Sequence, residues 1–352
     1  MKNIYIGFGS NNSNFVGGLE RVTNSHIFGV GKDYYDLYIC LGTDRRSEVG
    51  YLELPWKNNS IKGKLLTLFT LCFYSNKYRG SKFYIHGSPI LSLFCIFNAK
   101  HSIVMHHGDV AAEFLSNYSG KKKPLYFLLK FSDKLQNILY HKHVSYNLDI
   151  ISKLRNIYHK NPIILANFVE RIFNFKNFTK NQENIFPIII SVAYWTKRKN
   201  LSYLLEFLFT HNPAYKLILR LVGDVHPDYV QEFNEILTQI SYFQNVNIER
   251  YINIDDEQLY SLLHTSDYYF HYSVNEGFPR AMQEAQICGC TVVCHKKYFN
   301  DQLLAGMALD FDELLMKSPR ILPLNSEAKN NNIVHFSSYY IESKYYDTLS
   351  KI

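Results

Sequence analysis

Residues 266–294 read SDYYFHYSVNEGFPRAMQEAQICGCTVVC, and the fold can be worked out from this stretch. Its aromatic run, Tyr268–Tyr272, has the length and composition of a buried strand. The run breaks at a turn around Gly277, and the segment of helical period that follows stops at Gly289. Thr291–Cys294 then predicts the next buried strand. The stretch therefore predicts one β-α-β unit of a parallel sheet.

Two glutamates lie at the crevice end of this predicted unit. Glu276 comes at the carboxyl end of the first strand, and Glu284 follows about two helical turns later in an otherwise apolar helix. Gly277 allows close backbone approach where the helix presents its free N–H groups and positive dipole end, and Pro279 suits the first helical turn. A solvated helix face is the alternative interpretation. We expect instead a site for a sugar that carries a diphosphate.

The 352 residues suffice for two domains, and a hydrophobic content of 47% with a charged content of 20% is typical of a globular protein. The net charge of +7 is uneven: residues 1–180 hold 24 Lys and Arg against 11 Asp and Glu, and the rest of the chain holds 14 against 20. The basic half favours an anionic surface such as a phosphorylated lipid or acidic membrane headgroups. Nucleic acid is the weakest choice because no recognised nucleic-acid-binding signature is present.

The N-terminal sequence MKNIYIGFGS predicts a strand and a glycine-containing loop rather than a signal peptide. The longest apolar runs fall well short of the ~18 residues that span a bilayer. The six cysteines are scattered, without the spacing of a metal site, and we expect reduced core thiols. These features predict a cytoplasmic protein, with peripheral attachment to the inner face of the cell membrane left open.

Both halves of the chain alternate strand-like and helix-like segments, which predicts two open, doubly wound parallel sheets in an α/β fold. The aperiodic, Asn/Lys/Phe-rich segment 168–186 is the expected linker. The predicted strands are 4–8, 35–41, 82–86, 103–106, 143–145, 162–167, 186–192, 216–222, 246–251, 268–272 and 291–294. The predicted helices or helical segments begin at residues 19, 61, 124, 148, 200, 227, 256, 279 and 337.

A cluster of cations, Thr196–Asn200, follows one of these strands and opens the next helix. Cations at a helix N-terminus oppose the helix dipole, so the cluster favours a bound anion over plain solvation. We expect Arg198 and Lys199 to contact a diphosphate, the first by bidentate hydrogen bonds and the second as a point charge.

Two further loops carry weaker candidates. Gly17 and Gly18 end the polar loop after the first strand, where a plain turn and a phosphate loop are equally good interpretations. His106 and His107 follow the strand 103–106. Adjacent histidines on an extended chain point in different directions and do not chelate a metal, so we expect His107 to hydrogen-bond the sugar unless it is a structural histidine.

Together these residues resemble a known family. The motif Glu276-Gly277-Phe278-Pro279 with Glu284-Ala285 and Gly289 is similar to that of the retaining, nucleotide-sugar-dependent glycosyltransferases of family 4. The resemblance covers most of residues 186–297 and is looser in the first half. It rests further on Ser191-Val192, Lys199-Asn200-Leu201, Leu221-Val222-Gly223-Asp224, Tyr251-Ile252, Asp267, Gly17-Gly18, His107-Gly108, Ser145 and Asn167–Glu170.

The resemblance implies the GT-B architecture of two Rossmann-like domains facing a central cleft. The expected domains are 1–175 for the acceptor and 176–335 for the nucleotide sugar, with residues 336–352 as a helix that crosses back to the first domain. The predicted catalytic residues are Glu276, for which the resemblance implies contact with donor-sugar hydroxyls, His107 and Lys199. The predicted donor-binding residues are Gly17, Gly18, Arg198, Lys199, Gly223, Tyr251, Ile252, Gly277, Phe278 and Glu284; for Glu284 the resemblance implies contact with the ribose.

The implied reaction moves a sugar, with retention at the anomeric carbon, from a UDP- or GDP-linked donor to a saccharide or lipid-linked saccharide acceptor. Bacterial surface polysaccharide or glycolipid assembly is the expected setting. The resemblance implies that no metal or other cofactor is needed.

Two departures from the family pattern leave other functions open. Ala193-Tyr194 replaces the family's Gly-Arg before the lysine, so Arg198 would have to supply the second phosphate contact. Asp301–Gly306 replaces a Gly-rich acidic loop, which leaves sugar selection undecided. A nucleotide-sugar epimerase of the same architecture and a non-catalytic nucleotide-sugar-binding subunit are the alternative functions.

Overall fold

The computed structural model describes residues 1–9, 22–23, 26, 33–56, 60–106, 108–111, 114, 123–145, 147–164, 186–211, 216–274, 279–294, 308–310, 348–349 and 351. The chain divides into two compact units, each built on its own largely parallel sheet. This arrangement confirms the predicted fold class of two doubly wound α/β domains.

The first unit alternates strands and helices along the chain. Its strands are β1 (Asn3–Phe8), β2 (Leu37–Leu41), β3 (Arg46–Glu48), β4 (Tyr51–Leu54), β5 (Lys82–His86), β6 (Ile103–His106), β7 (Lys142–Ser145) and β8 (Ile163–Ile164). Its helices are α1 (Ile61–Lys77), α2 (Pro89–Leu93), α3 (Lys123–Leu139) and α4 (Leu148–Tyr158), with a 3-10 turn at Ile96–Asn98.

The strand order of the first sheet is β3-β4-β2-β1-β5-β6-β7-β8, and all neighbours are parallel except β3 and β4. From β1 the chain first moves outward to β2 and β4, and then returns to β5 on the other side. β1 and β5 therefore flank a topological switch point, which in doubly wound sheets is where ligands bind, beyond the carboxyl ends of the strands.

One apolar core lies between this sheet and its helices. Strand residues such as Ile6, Ile39 and Ile85 pack with Leu71 of α1, Leu91 of α2 and Tyr140 after α3. Since the three helical segments share this cluster, they lie on the same side of the sheet.

The second unit repeats the alternation. Its strands are β9 (Ile188–Val192), β10 (Leu217–Val222), β11 (Val246–Tyr251), β12 (Tyr268–His271), β13 (Thr291–Cys294) and β14 (Ala308–Asp310). Its helices are α5 (Leu201–His211), α6 (Val230–Ser241), α7 (Asp256–His264) and α8 (Arg280–Ile287), with 3-10 turns at Lys197–Lys199 and Pro227–Tyr229.

The second sheet has the order β11-β10-β9-β12-β13-β14, and every pair is parallel. Counted from β9, this order is 3-2-1-4-5-6, that of a dinucleotide-binding Rossmann sheet. The switch point lies between β9 and β12.

Two local features show why the stretch around α8 folds as predicted. Gly289 has a φ of 86°, and the Cys290 N–H reaches back to the Ala285 carbonyl at 2.9 Å, which ends α8 in a left-handed cap. At the N-terminal ends of the strands of the second sheet, the Asp267 carboxylate accepts a hydrogen bond from the Ile188 N–H at 3.0 Å. This bond joins β9 to the start of β12.

The predicted elements agree with the structure to within a few residues wherever the residues are described. Strands β3, β4 and β14 and helix α2 were not predicted from the sequence. The predicted helix from Leu19 lies mostly outside the described residues, as do the end of the predicted strand 162–167 and most of the helix predicted from Ser337. Within the described part of the chain, no helix has both the length and the apolar character needed to cross a bilayer.

Candidate functional site

The carboxyl edge of the second sheet is the best-defined candidate site. The β9–β10 and β12–β13 connections leave the switch point in opposite directions, which opens a crevice between the loop after β9 and the loop after β12. The predicted Lys199 lies in the first of these loops, and the predicted Glu276 follows the second strand along the chain.

The loops after β9 and β10 are held to each other and to the end of β11 by backbone hydrogen bonds that continue the sheet. The Ala193 N–H donates to the Val222 carbonyl at 3.0 Å, and the Gly223 N–H donates to the Tyr251 carbonyl at 2.8 Å. The Trp195 N–H donates to the Asp224 carbonyl at 2.7 Å. These bonds fix the floor of the crevice before any ligand binds.

Gly223 is required in this floor. Its φ is 108°, and a Cβ at this position would overlap the carbonyl oxygen of Ala193, which is main chain and has no rotamer to change. The backbone of the two loops therefore approaches more closely than any side chain would permit. This closeness explains why a glycine follows β10.

The cation cluster forms a separate 3-10 turn, Lys197–Lys199, and α5 begins only at Leu201. Asn200, with a φ of 54°, joins the two, and no acidic residue occupies the first turn of α5. Arg198 and Lys199 are half-buried, whereas Lys197 is 80% exposed and lies 3.8 Å from the Glu232 carboxylate.

The cation turn and the end of β12 are in direct contact. The Arg198 carbonyl accepts from the Val274 N–H at 3.0 Å and from the Ser273 hydroxyl at 3.2 Å. Val274 is two residues before Glu276. The structure thus brings the predicted phosphate-binding turn to the segment that leads into the predicted sugar-binding motif.

Glu284 lies inside α8 and is buried. Its Oε1 lies 3.6 Å from Nη2 of Arg280, four residues earlier and also buried. Two opposite charges on one buried helix face hold each other in place. Arg280 was not among the predicted site residues, although its i, i+4 spacing from Glu284 is a signal present in the sequence.

At the end of β11, Tyr251 is fixed by a charged network. Its hydroxyl donates to Oε2 of Glu249 at 2.8 Å, and the same oxygen accepts from Nε of Arg220 at 3.0 Å. Ile252, the next residue, is exposed. The two residues predicted to border the base are therefore a fixed ring and an exposed aliphatic side chain at the carboxyl edge.

Several predicted site residues lie outside the described residues, and their contacts stay predictions. They are Gly17, Gly18, His107, Glu276, Gly277 and Phe278.

In the first unit, a histidine pair joins the ends of β6 and β7. His143 is buried, and burial lowers its pKa to about 4, so the ring is neutral at pH 7. Its Nε2 lies 3.0 Å from the Tyr140 carbonyl, which can only accept, so the proton is on Nε2. Nδ1 of His143 then accepts from Nε2 of His106 at 3.0 Å. This chain orients His106, the residue before His107.

The residues that follow in this loop are held by a lysine. Nζ of Lys153 lies 2.6 Å from the Asp133 carboxylate and 3.6 Å from that of Asp109. Among the described residues, no group of three or more His, Cys, Asp or Glu side chains could hold a metal ion.

A family model matches the second unit and its surroundings. Residues 172–306 match the family described as glycosyl transferases group 1. The match covers the cation turn, Gly223, Tyr251 and both predicted glutamates. It supports a glycosyltransferase.

Solved structures with the same fold cover the whole length of the chain. HepE of Anabaena in complex with UDP-glucose has a TM-score of 0.68 at 16% identity, with 100% of both chains covered. A glycosyltransferase from Rickettsia africae has a TM-score of 0.63 at 15% identity, with 99% of this chain and 98% of that chain covered. WaaG, a glycosyltransferase involved in lipopolysaccharide biosynthesis, has a TM-score of 0.60 at 11% identity, with 98% and 94% covered. No curated protein sequence matches the chain.

Proposed function

We propose that the protein is a retaining glycosyltransferase that uses a nucleotide-diphosphate sugar as its donor. The observation that carries this proposal is the bond between the Arg198 carbonyl and the Val274 N–H. It brings cations suited to a diphosphate next to the segment that leads to Glu276, at the switch point of a sheet with Rossmann strand order. The match to glycosyl transferases group 1 supports the same activity.

In this proposal the second unit binds the donor. Lys199 and Arg198 hold the diphosphate, Glu284 binds the ribose hydroxyls, and Tyr251 and Ile252 border the base. Glu276 contacts the hydroxyls of the transferred sugar. A uridine nucleotide is the favoured donor because HepE, with the same fold, was crystallised with UDP-glucose; GDP-linked sugars are the alternative.

The chemistry follows from charge placement. As the glycosidic bond to the diphosphate breaks, negative charge grows on the leaving oxygen, and fixed cations and N–H groups lower the energy of that state. The departing phosphate can itself accept the proton of the attacking hydroxyl, so the proposal needs no protein nucleophile and no metal. Positioning of the two substrates supplies much of the remaining rate enhancement.

The basic first unit is proposed to bind the acceptor, a saccharide or lipid-linked saccharide. Its excess of Lys and Arg suits a phosphorylated lipid carrier. Bacterial surface polysaccharide or glycolipid assembly is the proposed setting, and WaaG, which shares the fold, is involved in lipopolysaccharide biosynthesis.

Product analysis tests the proposal. The protein is incubated with labelled UDP- and GDP-sugars and candidate acceptors, and the anomeric configuration of the product is read by NMR. Transferred sugar with the donor's configuration is expected. An inverted product overturns retention, an isomerised donor points to an epimerase, and bound but unchanged donor points to a non-catalytic subunit.

A variant pair tests the assigned glutamate. Glu276→Ala is expected to lower turnover by at least about 100-fold, because an interaction made in the transition state is lost. Glu257→Ala, which removes an exposed acid in the first turn of α7, is the matched control and should leave turnover unchanged. Full activity of Glu276→Ala with an unchanged melting temperature would refute the assignment.

A further inference from the structure

The buried and exposed faces of helix α1 are reversed relative to those of an ordinary amphipathic helix. The residues that face the body of the first unit are Gly63, Thr67, Leu71 and Ser75, four residues apart and mostly small or polar. The opposite face carries Leu65, Phe69 and Phe73, and the two phenylalanines are 72% and 61% exposed. An amphipathic helix normally buries its large apolar side chains. Here the small residues are buried and the aromatic residues face outward.

Helix α3 shows the same reversal. Its buried residues include Ser132, Gln136 and Asn137, while Phe127 and Phe131, one turn apart, are 65% and 57% exposed. Single exposed apolar side chains are ordinary on protein surfaces. Stripes of exposed phenylalanines on two helices of one unit are not, and they indicate a binding surface.

The two helices belong to one layer on one side of the first sheet. The Asn98 side chain donates to the Ser75 carbonyl at 2.6 Å, which joins α1 to the 3-10 turn Ile96–Asn98. The Tyr140 hydroxyl, just after α3, donates to the Ser92 carbonyl of α2. Phe97, in the 3-10 turn of this layer, is also exposed. We name Leu65, Phe69, Phe73, Phe97, Phe127 and Phe131 the aromatic face.

The positive charge around the aromatic face indicates which kind of partner binds there. Residues 54–108 contain seven Lys and Arg and no Asp or Glu. Lys62 and Lys64 are exposed on α1, and Lys130 and Lys134 are exposed on α3. Asp133, the acid within α3, is half-buried and bonded to Lys153. A second copy of this chain would oppose like charge to like charge, whereas anionic headgroups complement it.

We propose that the aromatic face docks on an anionic lipid bilayer. Its phenylalanines enter the boundary between headgroups and acyl chains, and the surrounding lysines pair with lipid phosphates. This inference deepens the proposed function, because it would hold the first unit at the surface where a lipid-linked acceptor resides. The binding itself requires no turnover, so it can be tested separately.

Co-sedimentation of the full chain with vesicles tests the inference. Phosphatidylcholine vesicles are compared with vesicles that contain about one third phosphatidylglycerol. The wild type is expected to bind the anionic vesicles about tenfold more strongly than the neutral ones, and added salt should reduce this binding.

Two variants and a control locate the surface. Phe69→Gln/Phe73→Gln/Phe131→Gln and Lys62→Gln/Lys64→Gln/Lys130→Gln are each expected to lower binding about tenfold, because they remove inserted area or surface charge. Phe209→Gln/Tyr242→Gln, which removes exposed aromatic residues of the second unit, should bind like the wild type. All three should melt like the wild type, since the changed side chains are exposed.

Several outcomes would overturn the inference. They are equal wild-type binding to both vesicle types, unchanged binding of the phenylalanine variant, and a wild-type dimer in sedimentation velocity that this variant abolishes. Turnover on a short water-soluble acceptor separates this proposal from the proposed function. If the glycosyltransferase assignment fails, turnover is absent while vesicle binding persists; if docking fails, turnover persists without vesicle binding.

Discussion

Lys197 and Lys199 occupy the same short turn, yet their surroundings differ. Lys197 is 80% exposed and lies 3.8 Å from the Glu232 carboxylate, an ion pair of small energetic value in water. Lys199 is half-buried, and its N–H donates to the Thr196 carbonyl at 2.9 Å. The same substitution at the two lysines therefore compares an exposed position with a half-buried one while the side chain stays the same.

We predict that Lys199→Gln lowers kcat/KM for the nucleotide-sugar donor about 100-fold, which corresponds to ~2.7 kcal/mol of lost transition-state stabilisation. Lys197→Gln should stay within about twofold of the wild type, because its charge is solvated. Steady-state kinetics of the two variants side by side checks this. Equal losses in both would show that the turn acts through net charge rather than through Lys199.

His143 gives a prediction on pH. In the unfolded chain the His143 ring has a pKa near 6.5, whereas burial lowers its pKa in the folded chain to about 4. Between these values the unfolded state binds more protons, so the free energy of unfolding falls as the pH falls, by roughly 3 kcal/mol in total from this residue.

His143→Gln keeps an N–H for the Tyr140 carbonyl and removes the titration. Urea unfolding at pH 7 and pH 4 should show a smaller loss of stability in this variant than in the wild type, by roughly 3 kcal/mol. Parallel losses in the two proteins would mean that the ring is accessible to protons in the folded state.

Residue types and spacing led to the prediction that Lys199, Arg198, Glu276 and Glu284 form one site. The assignment stays a prediction, and Glu276 lies outside the described residues. Arg280, which lies beside Glu284, was not predicted although the i, i+4 spacing is present in the sequence, because an arginine in a helix is normally exposed. The link from the Arg198 carbonyl to Val274 was also beyond prediction. It is a main-chain contact between segments 75 or more residues apart, and the identity of the side chains does not predict such a contact.

Among the elements of the second unit, the loops after β9 and β10 and the end of β11 act as one layer, because their main chains are hydrogen-bonded to one another. Gly223 lies in the middle of this layer. Its conformation and the nearby Ala193 carbonyl both exclude a side chain.

Gly223→Ala is expected to lower the free energy of unfolding by more than about 2 kcal/mol and to weaken donor binding, because the loops must separate. Gly80→Ala is the control: its φ of 85° is equally unfavourable for alanine, but an added Cβ would meet no atom within 4 Å. The control should cost ~1 kcal/mol and leave donor binding unchanged. Denaturant unfolding and nucleotide titration measure both effects, and equal costs would contradict the role assigned to the Ala193 contact.

Most elements could be predicted because strands of a parallel sheet are continuous apolar runs between glycine and polar loops. The exceptions have physical reasons. The β3–β4 hairpin has strands of three and four residues, too short to show a period. Helix α1 was predicted as a helical segment, but the sequence did not show which of its faces is buried. Which face packs inward depends on what the other face contacts, and the helical period does not contain that information.

At the scale of the whole molecule, the uneven charge follows the two units. The first holds the basic excess and the aromatic face, and the second holds the acidic excess and the Rossmann-ordered sheet. Residues 348 and 349, near the end of the chain, group with the first unit, and Leu349 is buried. The roles proposed for the units, acceptor and membrane for one and donor for the other, are consistent with their opposite charge.

We propose that the carboxyl edge of the second sheet binds the nucleotide. Amide hydrogen exchange of the full chain, with and without UDP, measures this directly. We predict slowed exchange in peptides that cover residues 193–200 and 272–284, because ligand contact stabilises the cation turn and the segment after β12. UDP binding that leaves both segments unchanged and protects other parts of the chain would show that the nucleotide binds elsewhere.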